Sequence, residues 1–275
     1  MNRVIEKNTK ALFFDLDGCI YYGRKLAERA NELLELLRSG GIRIGFITNN
    51  SREDAAEIGR KLSGMGLRLN DEQIVNATEA VASYLTERYG RVNVKVAGSE
   101  SLRRAIAGQG HRLLEWEARE IADTIVIGRD TEFDYRRLQR IVDESFRGAR
   151  LLSTNADRSH PGEDGRVIPE TGSLMAAIES IVGSSVKSIG KPDNCLYELA
   201  MRAYKLTPSE CVMVGDNLAT DIAGADRIGM KSVWIRQSGS DLQDRLPIKP
   251  TFTVGKLSEL YELLLSEREY SDYRV

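Results

Sequence analysis

The chain has 275 residues, enough to bury one large core or two modest ones. Acidic and basic residues number 41 and 39 and are mixed along the chain, so no basic footprint for a nucleic-acid polymer is present. The apolar runs are far too short to span a membrane, Met1 to Lys10 lacks a signal-peptide core, and the scattered Cys19, Cys195 and Cys211 make neither a disulfide framework nor a zinc pattern, so a cytoplasmic protein without a membrane partner is expected.

The first predicted element is an apolar strand, Leu12 to Phe14, that runs into Asp15-Leu16-Asp17-Gly18. A short connection, Cys19 to Lys25, leads to a helix with Leu26, Ala30, Leu33, Leu34 and Leu37 on one face, stopped by Ser39-Gly40-Gly41. A second strand, Ile42 to Ile47, ends in Thr48-Asn49-Asn50-Ser51. The helix that follows turns Ala55, Ile58 and Leu62 inward, and Ser51 and Asp54 have capping-box spacing.

From Thr78 to Gly183 the alternation continues without acid-rich strand tips. Helices are expected over Glu79–Tyr89, Glu100–Ala107 (capped by Ser99), Asp134–Phe146 and Ser173–Val182. Strands are expected over Val92–Ala97, Thr124–Ile127 and Arg150–Ser153, with Thr154–Pro169 as a loop. This stretch, residues 78–183, reads as a second α/β domain inserted into a first one made of 1–77 and 184–275.

The earlier grammar then returns. Val186 to Ile189 is a predicted strand ended by Gly190-Lys191-Pro192, whose proline suits the start of a helix reaching Tyr204. Cys211 to Val214 is a strand ended by Gly215-Asp216-Asn217-Leu218-Ala219-Thr220-Asp221. A helix, strands over Ser232–Ile235 and Thr251–Val254, and a terminal helix with Leu257, Leu260, Leu263 and Leu264 inward complete the chain, and the charged tail from Arg268 is expected to fray. The fold class expected is α/β, a Rossmann-like core with a mainly parallel sheet plus an inserted α/β cap.

Four strand tips thus carry complementary polar groups: Asp15 with Asp17, Thr48 with Asn49, Lys191, and Asp216 with Asp221. In open α/β sheets ligands bind outside the carboxyl ends of the strands. Carboxylates crowded there repel one another unless a cation sits among them, and Mg²⁺ suits a set of hard oxygen donors. A hydroxyl and amides at a helix start, together with one lysine, suit phosphoryl oxygens. Singly each tip has a plain reading, as turn, cap or surface charge; all four in order point to metal and phosphate.

These segments resemble the four motifs of the haloacid dehalogenase-like phosphohydrolases, in the NagD-type branch with a large cap. Phe14-Asp15-Leu16-Asp17-Gly18 is similar to the first motif, Ile47-Thr48-Asn49-Asn50-Ser51 to the second, Gly190-Lys191-Pro192 to the third, and Val214 to Asp221 to the fourth. Thr154-Asn155-Ala156-Asp157 and Thr171-Gly172-Ser173 extend the resemblance into the cap. Cys19 departs from it, since valine or threonine is usual there.

The resemblance implies a Mg²⁺-dependent phosphatase acting on a small phosphomonoester through an aspartyl phosphate. Asp15 would be the nucleophile and Asp17 the general acid and base. Mg²⁺ would be held by Asp15, the Asp17 carbonyl and Asp216, with Asp221 close by or through water. Thr48, Asn49 and Lys191 would bind phosphoryl oxygens, with Asn217 on the same edge. For the alcohol half, the cap offers Asn155, Asp157, Arg158, His160, Arg129 and Glu170, while His111 reads as structural. Sugar phosphates, glycerol phosphate, phosphoglycolate, nucleotides and pyridoxal phosphate all fit, and self-association is compatible. The alternatives are a phosphotransferase or mutase on the same core, and a non-catalytic phosphometabolite sensor, which would not need Asp17. A pyridine-nucleotide enzyme is excluded for want of a Gly-rich first turn.

Overall fold

The computed structural model describes residues 3–161, 166–237 and 247–272. The chain divides into two units, one of Met1–Thr48, Gly59–Val75 and Tyr197–Val275, the other of Asn49–Ile58 and Asn76–Leu196.

The first unit opens with β1 (Ala11–Phe14), every residue of which is buried. Strands buried on both faces read as continuous apolar runs, and parallel sheets covered on both sides require them. The predicted connection after Asp17 contains a small antiparallel ribbon, β2 (Tyr21–Tyr22) with β3 (Lys25–Leu26). Leu26 is therefore extended, and α1 begins only at Ala30 (Ala30–Ser39), burying Ala30, Leu33, Leu34 and Leu37. β4 (Arg43–Thr48) follows and pairs parallel with β1. Phe13, Phe14 and Phe46 are fully buried, each stabilising the fold by roughly 1.5–3 kcal/mol relative to exposure. α2 (Ala55–Gly64) leads to β5 (Gln73–Asn76), a short sheet-edge strand that the sequence pattern does not announce.

The second unit continues with α3 (Ala77–Tyr89), β6 (Asn93–Ala97), α4 (Glu100–Gly108), β7 (Arg112–Leu113), β8 (Thr124–Ile127), α5 (Tyr135–Phe146) and β9 (Arg150–Ser153). Ser99 caps α4 and Asp134 caps α5, each accepting a main-chain N–H from three residues on. The predicted loop Thr154–Pro169 contains an antiparallel hairpin, β10 (Ser159–Pro161) with β11 (Val167–Pro169); residues 162–165 lie outside the described set. α6 (Thr171–Val182) precedes β12 (Lys187–Ser188). β12 corrects the expectation for Val186–Ile189: it pairs parallel with β9, making the edge of a five-stranded sheet ordered β12-β9-β8-β6-β7. Only two residues are paired, and neither is buried, so an apolar pattern could not say which sheet this strand would join.

This unit also buries ionised groups. Lys95 and Glu144, almost wholly enclosed, meet at 2.5 Å. Lys95 also donates to the carbonyls of Ala118 and Glu120, and Glu144 accepts from Arg140 and from the Ala122 N–H. His111 is buried, with Nε2 3.0 Å from Thr86 Oγ1 and Nδ1 accepting the Val92 N–H, a structural role as expected.

After α7 (Asn194–Tyr204) the chain adds β13 (Cys211–Gly215), a π-helical turn at Leu218–Ile222, α8 (Ala223–Arg227), β14 (Lys231–Ile235), β15 (Phe252–Val254) and α9 (Leu257–Asp272). The tail from Arg268 therefore continues the helix to Asp272, and 273–275 lie outside the described residues. The first unit's sheet is ordered β15-β14-β13-β1-β4-β5, and the pairings β14–β15, β13–β14, β1–β13 and β1–β4 are parallel. The α/β class with a mainly parallel sheet is as expected. From β1 the next strand lies on one side and β13 on the other, so the topological switch falls between β1 and β13, where ligands gather in such sheets. Among the described residues no helix is long and apolar enough to cross a membrane.

Candidate active site

Phe14 is level with Val214 on one side and Phe46 on the other. The residues just beyond, Asp15 and Asp216, therefore stand on neighbouring strand tips at the switch point, and the Asp15 N–H donates to the Val214 carbonyl at 2.8 Å. Asp221 arrives from the π-helical turn after β13. In that turn the Ile222 N–H reaches the Asn217 carbonyl at 3.3 Å and the Asp221 N–H reaches the same oxygen at 2.9 Å. Such wide turns recur at functional sites because they re-aim one side chain. Carboxylate oxygens of Asp15, Asp216 and Asp221 all lie within 4.8 Å of one another, with Asp15 and Asp221 buried.

Two glycines make this crowding sterically allowed. Gly18 has φ +84°, and a Cβ there would run into the Asp216 carboxylate; a Cβ on Gly215 would run into that of Asp221. Three acids, two of them packed onto bare backbone, at separations one cation could bridge with hard oxygen donors, fit Mg²⁺.

The other expected residues divide between the two units. Asp17 is exposed just past Asp15, where the Gly18 N–H donates to the Tyr21 carbonyl. Thr48 is the buried last residue of β4. Asn217 has a local role beyond the one expected: its Oδ1 accepts the Ala219 N–H at 2.9 Å, and its main-chain N–H donates to Asp221 Oδ2 at 3.0 Å. Cys19 is buried, its thiol 3.7 Å from the Val214 carbonyl, so the unusual residue packs beneath the site.

Asn49 and Lys191 belong to the second unit. Lys191 follows a strand of the five-stranded sheet, not one of the first sheet as its motif position suggests. Its main chain is held by Asn49, whose Oδ1 accepts the Lys191 N–H at 2.7 Å and whose Nδ2 donates to the Lys191 carbonyl at 3.1 Å. The same Nδ2 lies 2.9 Å from Asp157 Oδ2, and Asn155, fully buried, donates to the Asn49 carbonyl at 2.8 Å. Asn155 is therefore scaffolding. Glu170 is shared by Arg129, at 3.2 Å, and His160, at 2.8 Å, while Arg158 is exposed.

Sequence reasoning missed the groups on β14 and just after it. Trp234 donates its indole N–H to the Asp216 carbonyl, and Gln237 Nε2 reaches both Gly18 and Asp216. Beside these groups the Tyr22 ring is partly exposed, and its phenol is pushed up to about 12 by partial burial and by the neighbouring Cys19 and Asp216. No local pattern marks the neighbouring strand β14, 18 residues further along the chain, as a support for Asp216.

Family comparison agrees with this geometry. Residues 12–112 match the haloacid dehalogenase-like hydrolase model, and 188–260 match a second model described as HAD-hydrolase-like. The 5'-nucleotidase YutF of Bacillus subtilis is 32% identical over 256 residues, covering 92% of this chain and 98% of that protein. The solved 4-nitrophenylphosphatase of Thermotoga maritima superposes with a TM-score of 0.84 at 29% identity, covering 93% and 97% of the two chains. A glycerol phosphate phosphatase of Mycobacterium tuberculosis, solved in complex with magnesium, gives 0.81 at 26% identity, covering 92% of this chain and 77% of that one. A structure described as a putative nagD protein gives 0.83 at 26% identity over 94% and 99%. With its acid cluster at the switch point and relatives of this kind along nearly its whole length, the chain belongs to the haloacid dehalogenase-like hydrolases, in the NagD-type branch, and is a phosphoric monoester hydrolase.

Proposed function

We propose that the protein is a Mg²⁺-dependent phosphatase that cleaves a small phosphomonoester through an aspartyl phosphate on Asp15. The observation that carries this reading is the meeting of Asp15, Asp216 and Asp221 within 4.8 Å at the switch point. Asp15, Asp216 and Asp221, with the Asp17 carbonyl, would hold the metal; when bound, Mg²⁺ neutralises the crowded carboxylates and polarises a phosphoryl oxygen.

In the first half-reaction an Asp15 oxygen bonds to phosphorus and the ester P–O bond breaks. Asp17, exposed two residues beyond Asp15 at the same strand tip, gives its proton to the departing alcohol oxygen. In the second half-reaction Asp17 takes a proton from water, the water oxygen bonds to phosphorus, and the P–O bond to Asp15 breaks. Inorganic phosphate leaves and both aspartates return to their starting states. Thr48, Lys191 and the main chain at Asn49 would bind phosphoryl oxygens, and Asn217 would hold Asp221 in place.

The inserted segment 78–183 is the proposed cap, with 1–77 and 184–275 the catalytic core. The phosphoryl group is common to all substrates, so discrimination between alcohols falls to the cap, through Arg158, His160, Arg129 and Glu170. Relatives named for nucleotides, nitrophenyl phosphate and glycerol phosphate support a small organic phosphate as substrate.

The test is a panel of sugar, glycerol, glycolate, nucleoside and pyridoxal phosphates scored by phosphate release with Mg²⁺ and after exhaustive chelation. Release that needs Mg²⁺ and water is expected. Undiminished release after chelation rejects the metal, and delivery of the phosphoryl group to an added alcohol in place of water makes the protein a phosphotransferase.

A further inference from the structure

Asp216 is gripped from outside the acid cluster. Its carbonyl accepts the Trp234 indole N–H at 2.9 Å, and three residues later the chain brings in Gln237. Gln237 Nε2 lies 2.9 Å from Asp216 Oδ2 and 2.9 Å from the Gly18 carbonyl. Both partners are pure acceptors, and an amide nitrogen carries two N–H groups, so both protons are used and the orientation of the amide is settled. The Asp216 carboxylate is thereby seated against the bare Cα of Gly18 on one side and tied to an amide on the other.

We infer that Gln237 is a positioning residue for the metal site. It ties the tip of β13 to the loop that follows β1, and so sets the rotamer of Asp216 and the place of the backbone next to Asp17. Its amide N–H groups are spent on Asp216 and Gly18, and so it fixes the spacing of the groups that would hold the metal. An unheld aspartate would lose rotamer entropy on binding a cation, and the amide removes that cost in advance. The inference rests on the Mg²⁺ reading above.

The experiment is Mg²⁺ titration by calorimetry, without substrate, of the full chain and of Gln237→Met, Gln237→Ala and Asp216→Ala, with thermal unfolding in chelator as a check on folding. Gln237→Met keeps the length of the side chain and removes both donors. Loss of a partner that orients a metal ligand typically weakens metal binding about 10–100-fold, and that is the shift expected for Gln237→Met and Gln237→Ala, with unfolding in chelator nearly unchanged. The Mg²⁺ concentration for half-maximal activity should rise in parallel while kcat at saturating Mg²⁺ is largely kept. Mg²⁺ affinity in Gln237→Met and Gln237→Ala within about twofold of the parent, alongside clear loss in Asp216→Ala, overturns this inference alone. A parent chain that binds no Mg²⁺, or binds it equally well as Asp216→Ala, overturns the metal reading and this inference with it.

Discussion

The side-chain amide of Asn49 closes around the main chain of Lys191, accepting its N–H at 2.7 Å and donating to its carbonyl at 3.1 Å. One residue is thus placed by another 142 positions away, and the lysine side chain starts from a backbone that cannot drift.

Asn49→Ala removes both bonds. With the bond to Asp157 lost as well, three net hydrogen bonds correspond to about 1.5–4.5 kcal/mol of stability. Misplacing Lys191 by a fraction of its reach should lower kcat/KM by roughly 10–100-fold on every substrate alike, as small displacements of positioned groups do. A substrate panel run on the variant checks this. An effect that reorders substrates without lowering the common rate contradicts the assigned role.

Asp15→Asn keeps the size of the nucleophile and removes its charge. Attack on phosphorus and one metal ligand are lost together, so turnover should fall by at least about three orders of magnitude. The fold should persist, because relieving repulsion among three acids does not open the core. Single-turnover phosphate release with a folded variant is the measurement, and retained activity removes Asp15 from its role.

Changes at Arg158 and His160 should alter relative activity across substrates, with little loss on an activated ester such as para-nitrophenyl phosphate. Asp157 should behave otherwise. Its carboxylate lies 2.9 Å from the Asn49 amide, so Asp157→Ala loosens the support of Lys191 and should lower all substrates together. Lys191→Ala should do the same more strongly by removing a phosphoryl contact. If Arg158 and His160 variants lose activity uniformly while Lys191→Ala changes preference, the division between cap and core is wrong.

The second unit should be acid-labile in two steps. Burial holds the His111 pKa below its ordinary 6.5, so the native state takes up its proton less readily than the unfolded chain. That contribution is complete above pH 6.5 and is lost as pH falls through the lower folded value. For Glu144 burial acts upward, but hydrogen bonds from Lys95, Arg140 and the Ala122 N–H outweigh it, and the net shift is below 4.5. Its contribution is present above about pH 4.5 and lost below it. Denaturant unfolding against pH should show both regions, and His111→Gln should flatten the first. Glu144→Gln should cost about 3–5 kcal/mol near neutrality, because it takes the carboxylate partner from the buried Lys95. A cost under about 1 kcal/mol would place the pair in the class of surface ion pairs.

The sequence by itself determined what local chemistry decides. β1 is legible because four apolar residues end abruptly in acids, and α4 because Ser99 caps it within three residues. The acids of the site were legible too, since Asp15, Asp216 and Asp221 each sit at or just beyond a strand end that its own neighbours announce. Only the tertiary structure decided the partners. β12 has two half-exposed residues and could have extended either sheet; the choice of β9 is made by neighbours 35 positions away in register (Lys187 opposite Leu152). Gln237 looks like an ordinary polar residue after a strand, and its value comes from Gly18 and Asp216, 219 and 21 positions distant. Asn49 and Asn217 carry amides that the sequence offers to phosphate, yet the fold uses the first on Lys191 and the second on its own turn. Periodicity and capping act over a few residues of chain, whereas a hydrogen-bond partner is chosen by proximity in space, which depends on every loop between.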